Sequence, residues 1–133
     1  MLNPFPHLLI YSFYVPTLLR LTATLVFIYI AYRIIRTKET VQSTELPFVG
    51  HAQGWMVWFS AIITILVAFF LFIGLGTQWA AIAAMVIALT HAFLAKKHAA
   101  LLPLSRGAYM LLFVICLSLL ISGAGAFASD IPL

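Results

Sequence analysis

Between Gly50 and Ala95 the chain contains no Asp, Glu, Lys or Arg. A stretch of that length without a formal charge cannot form the skin of a water-soluble globule, which draws on a complement of about 25% charged residues. It is long enough for two membrane crossings of about 20 residues each. The rest of the chain agrees. Seven Lys or Arg and three Asp or Glu serve all 133 residues, of which 65% are hydrophobic. These observations predict an integral membrane protein whose immediate partner is the lipid bilayer.

The expected fold class is all-α, an up-down four-helix membrane bundle in a single domain spanning 1–133. Apolar runs place the helices at about 15–35, 55–73, 77–94 and 108–127. Pro16 suits the first turn of the first helix, where its missing N–H costs nothing. Arg20 is expensive at mid-bilayer, and near a helix end it is expected to extend toward the headgroups. Tyr29, Tyr32, Trp55, Trp58 and Trp79 stand near helix ends, as interfacial anchors do. The opening MLNPFPHLL has no basic residue ahead of its apolar stretch, which argues against a cleavable signal peptide.

The net charge of +4 raises nucleic acid as a partner. The cations cluster at helix ends and form no stripe with interleaved aromatics, so no nucleic acid is expected. The lone Cys116 lies in the apolar run LLFVICLSLL and reads as a small hydrophobe.

Gly74 and Gly76, in LFIGLGTQWAAIAAM, invite comparison with a phosphate-binding loop. A dinucleotide loop needs a third glycine where this chain has Trp79, and an acidic residue about 20 positions on. Thr90 to Ala100 contains neither Asp nor Glu, and Thr77 stands where a phosphate loop needs lysine. The stretch reads instead as a helical corner, with Gly74 and Gly76 supplying positive φ and Thr77 an N-cap oxygen. Ala80, Ala84, Ala88 and Ala92 then recur every four residues, as do Ser60, Thr64 and Ala68, and Ser118, Ser122 and Ala126. Small residues at that spacing let helices approach closely in lipid, so all three stripes are expected to pack.

His51 and His91 fall at one end of an antiparallel second and third helix, with His98 just beyond. They are the candidate cofactor-binding residues: two facing imidazoles suit a haem or a metal. The competing reading is hydrogen bonding to water, headgroups or Thr90, and no Asp or Glu completes a ligand set there. No HExxH, CxxC or Ser/His/Asp arrangement occurs, so no catalytic residue and no metal site is assigned.

The hairpin GLGTQWAA, the opening LLRLTATLVFIYIAYR and the ending GAGAFASD resemble the DoxX/DoxD family of small four-helix membrane proteins. The matching positions are Arg20-Leu21, Gly74, Thr77, Ala80-Ala81, Gly123 and Gly125. The chain departs from the family at Gln78, where members carry Arg, and at Thr64 and Val67-Ala68, where they often carry Glu and a glycine pair. The resemblance implies an accessory or interaction subunit beside a respiratory or thiol/sulfur redox complex, hence other membrane subunits as partners. No cofactor is expected on that reading. The alternatives are an electron-transfer subunit holding quinone or haem, and a small transporter using Thr24, Thr64 and Ser118. The localisation expected is the plasma (inner) membrane, multi-pass. The resemblance implies termini inside, through a corner Arg and a basic tail that this chain replaces with Gln78 and FASDIPL; Arg33, Arg36, Lys38, Lys96, Lys97 and Arg106 share the opposite side, so both termini are expected outside.

Overall fold

A computed structural model describes residues 6–37, 45–46, 50–51, 54–97 and 104–123. Four α-helices carry the fold: α1 (Val15–Arg36), α2 (Gly54–Ile73), α3 (Thr77–Lys97) and α4 (Arg106–Ser122). A 3-10 segment, Pro6–Tyr14, leads directly into α1. Between α1 and α2 a two-residue antiparallel ladder joins β1 (Glu45–Leu46) to β2 (Gly50–His51), with Glu45 opposite His51.

The helix ends follow local chemistry. Proline in the first turn presets the α1 backbone, and Thr37 closes the helix by donating both its amide and its hydroxyl to the Arg33 carbonyl, at 3.0 and 2.8 Å. Gly74 and Gly76 have φ of 76° and 60°, a region that costs a residue with a Cβ, and they turn α2 into α3 within three residues. The helix begins at Thr77 itself, so Gly76 rather than Thr77 holds the cap position, its carbonyl accepting from the Ala80 amide at 3.0 Å. The third helix also continues past Leu94 to Lys97.

The fourth helix is shifted from 108–127. It starts at Arg106, because the Ser105 hydroxyl caps it by accepting from the Ala108 amide at 3.3 Å. It stops at Ser122, because Gly123 turns to φ 78°. Ala124 to Phe127 lie outside the described residues.

The helices form a closed ring. α1 packs mainly on α2 and α3 mainly on α4, with lighter contacts from α2 to α3 and from α1 to α4. The tight corner makes α2 and α3 antiparallel. His91, late in α3, meets Tyr109 in the first turn of α4. Tyr29, in the second half of α1, lies within electrostatic range of the same Tyr109. Each of these meetings needs opposed directions, so every neighbour around the ring is antiparallel.

The interior is built from small residues. Ala23, Ala31, Ala61, Ala68, Ala80, Ala81, Ala84, Ala88, Ala92 and Ala95 are buried, with Phe27, Ile30, Leu71 and Leu119 as the large fillers. The exterior is the opposite: Leu18, Leu25, Ile28, Phe59, Phe69, Phe72, Val86, Phe93, Leu111 and Ile121 are all exposed. Two helical runs, Pro6–Arg36 and Thr77–Lys96, are long and apolar enough to cross a membrane, and Val57–Ile73 and Arg106–Ser122 are shorter apolar helices.

Candidate functional site

The polar groups inside the bundle separate into those that satisfy themselves and those that do not. Thr24 and Thr64 are buried, and each donates its hydroxyl to the carbonyl four residues back, Arg20 at 2.9 Å and Ser60 at 2.8 Å. This local bond removes the need for any partner helix or ligand. Thr90, suggested by sequence as a partner for His91, does the same on the exposed side, donating to Val86 at 2.8 Å.

His91 and Tyr109 differ. Their rings stack 5.4 Å apart at 20° across the α3–α4 contact. His91 is 7% exposed and Tyr109 fully buried. The Ile87 carbonyl lies beside the imidazole, and the Leu104 backbone beside the phenol. Even so, neither His91 Nδ1 nor Tyr109 Oη makes a well-aligned hydrogen bond among the described residues. An unpartnered buried polar atom costs about 1–3 kcal/mol, and the nearby Ile87 and Leu104 backbone groups offset part of that cost here. The pair sits about 9 Å from the end of α3, on the side away from the Gly74–Gly76 corner.

The structure does not bring the other histidines into this description. The backbone of His51 is in β2, but its side chain lies outside the described residues, as does all of His98. A two-histidine site can therefore be described only at its His91 half, where Tyr109 covers one face of the ring. Among the described residues no three His, Cys, Asp or Glu side chains converge. Cys116 is buried within the packing face of α4.

Tyr109 is the residue that sequence reasoning missed. Tyr109, Leu112, Cys116 and Leu119 are the buried face of α4, spaced three and four apart. That spacing was available in the sequence, but Met110, Leu111, Val114 and Leu117 form an equally apolar face beside it. Arg20 is placed differently from the expectation. It is 2% exposed and turned into the bundle, where it interacts with the surrounding protein, because it shares one face of α1 with Ala23, Thr24, Phe27 and Ile30.

The four alanines behave as a packing face, with Ala80, Ala84, Ala88 and Ala92 all buried. The serine stripe of α4 does not. Ser118 and Ser122 are exposed, since the larger Tyr109–Leu119 face has turned inward, and Ala126 lies outside the described residues.

One end of the bundle is basic. Arg33, Arg36, Lys96 and Arg106 are exposed there, contributed by α1, α3 and α4. Arg36 donates from Nε to the Tyr32 hydroxyl at 3.0 Å, with its guanidinium carbon 5.3 Å from the centre of that ring. No protein-family model matches the chain, and neither a curated protein nor a solved structure matches it.

Proposed function

We propose that the chain is an integral membrane protein, a four-crossing bundle that serves as an accessory subunit of a membrane redox complex. One observation carries the membrane part: most large apolar side chains are exposed, while alanines make up half of the buried hydrophobic core. A protein in water arranges these the other way, since leaving large aliphatic groups exposed forgoes about 25 cal/mol per Å². In lipid the exterior costs nothing, and close backbone approach between small residues holds the helices together. The lengths of α1 and α3 fit, whereas the 17 residues of α4 reach about 26 Å. At 1.5 Å per residue the 22 residues of α1 reach about 33 Å, against a hydrocarbon core of about 30 Å.

Aromatic side chains mark both rims. Tyr29, Tyr32, Trp55 and Trp58 are exposed at the basic end, and Tyr11, Tyr14 and Trp79, the last 79% exposed, at the corner end. Such rings favour the headgroup level. Arg106 supports an orientation. It begins α4, where the helix dipole disfavours a cation. What it shares with Arg33, Arg36 and Lys96 is therefore the end of the bundle, not a helix C-terminus. Cations in short connections stay cytoplasmic, which puts the basic end inside and both termini outside.

The association with a respiratory or thiol/sulfur redox complex rests on the resemblance to the DoxX/DoxD family at Arg20-Leu21, Gly74, Thr77, Ala80-Ala81, Gly123 and Gly125. His91 Nδ1, buried and lacking a good hydrogen bond, favours a second reading: an electron-transfer subunit with quinone or haem at that imidazole.

Three measurements test the proposal. Membranes washed in alkaline carbonate should retain the protein; its release into the wash refutes membrane integration. Single cysteines at Ser43 and Ser129, in a Cys116→Ala background, report orientation with an impermeant maleimide on intact cells. Labelling at Ser129 alone is expected, and labelling at Ser43 alone reverses the assignment. Purification in mild detergent should bring redox subunits along in fixed ratio, and recovery of the chain alone refutes the accessory role. A Soret band lost in His91→Ala would establish the second reading instead.

A further inference from the structure

We propose that the basic end of the bundle binds the phosphate of an anionic phospholipid through Arg33 and Arg36 at the exit of α1. The proposal rests on the membrane reading above and adds a specific lipid partner to it.

Arg36 is exposed yet held. Its Nε–H donates to the Tyr32 hydroxyl at 3.0 Å, and the guanidinium lies against that ring, 5.3 Å from its centre. The contact restrains a long side chain that otherwise loses rotamer freedom when it binds anything. The contact is made through Nε, and the guanidinium carries two further, terminal nitrogens. Those nitrogens form the planar fork that matches two oxygens of a phosphate. Arg33 lies three residues earlier, on the same helix surface, and is exposed too. Together they present two guanidinium groups to one anion.

Two further observations point to a lipid headgroup. Tyr29 and Tyr32 on the same helix, with Trp55 and Trp58 at the start of α2, are exposed at this end, and such rings mark the depth at which headgroup phosphates lie. Both Arg33 and Arg36 are exposed, so their guanidinium groups are within reach of an anion at this end. The helix dipole accounts for cations in the last turn of α1. It does not account for the Tyr32 contact that holds one of them. A zwitterionic headgroup carries its own cation beside the phosphate, whereas an anionic one does not, and this charge difference selects the lipid.

The test uses the purified full chain in detergent, given equal amounts of phosphatidylglycerol and phosphatidylcholine, with retained lipid counted by native mass spectrometry. Wild type should retain phosphatidylglycerol in preference. Arg33→Gln and Arg36→Gln should each weaken that retention about fivefold, the equivalent of about 1 kcal/mol per basic residue at an anionic surface. Arg106→Gln, on α4, should change it less than twofold, and circular dichroism should show all variants equally helical. Equal retention of the two lipids overturns the proposal, as does an Arg36→Gln effect no larger than that of Arg106→Gln. Complete displacement by millimolar inorganic phosphate means that any phosphate suffices, and overturns the lipid assignment. Protein released by the carbonate wash refutes the membrane reading; protein retained there but without lipid preference refutes only this site.

Discussion

Ala88 is fully buried on α3, within the row Ala80, Ala84, Ala88 and Ala92. Replacing it with leucine adds three carbon atoms at a position that has no exposed surface to receive them. Either the new side chain leaves its preferred rotamer or the facing helix moves away. Overpacking of this kind costs about 1–3 kcal/mol. Movement is the more damaging response here. On the membrane reading proposed above, no hydrophobic force pushes the helices back together, so nothing compensates for the van der Waals attraction that separation forfeits along the row. For a chain of this size 1 kcal/mol corresponds to about 4 °C in Tm, so the expected fall is about 4–12 °C. The assay is thermal unfolding in detergent followed by circular dichroism. Val86→Leu on the exposed side of the same helix is the control, expected within about 0.5 kcal/mol of wild type. Equal melting of Ala88→Leu, Val86→Leu and wild type refutes the placement of this face.

Tyr109→Phe keeps the ring against His91 and removes a hydroxyl without a good hydrogen bond, so stability should hold or rise by about 1 kcal/mol, while Tyr109→Ala should lose about 3–5 kcal/mol. A large loss in the phenylalanine variant, measured by the same melts, means that the hydroxyl is engaged after all. Gly76→Ala meets no atom within 4 Å at its new Cβ, so its cost is that of a left-handed backbone alone, about 1–2 kcal/mol. A loss well above that in chemical or thermal unfolding would place another constraint on the corner.

Much of the architecture is legible along the chain because its signals are local. The glycines at 74 and 76 allow a turn wherever they occur, and the adjoining apolar runs are long enough to be helices. The start of α3 at Thr77 follows from the same corner. The misplaced boundaries are also local in origin. Ser105 caps α4 so that it starts at Arg106, two residues before the apolar run begins to read as helix, and Gly123 ends it while the run continues. The candidate site is half legible. His91 stands out as a polar residue in an apolar helix, whereas for Tyr109, Arg20, Ser118 and Ser122 only the packing decides which side each one faces.

The physical reason lies in the solvent implied by the composition. In water one face of a helix must be polar, so the sequence marks which way each helix turns. When the outer face is as apolar as the inner one, that mark disappears. Composition, the absence of charge from Gly50 to Ala95, and the turn residues by themselves determine how many helices form and roughly where they end. The rotation of each helix about its axis is decided by which surfaces fit. Tyr109, Leu112, Cys116 and Leu119 turn inward on α4 and leave Ser118 outside, and α1 turns Arg20 inward with Ala23 and Phe27. The stacking of His91 on Tyr109 follows from those rotations of α3 and α4 together, and no property of either helix alone specifies it.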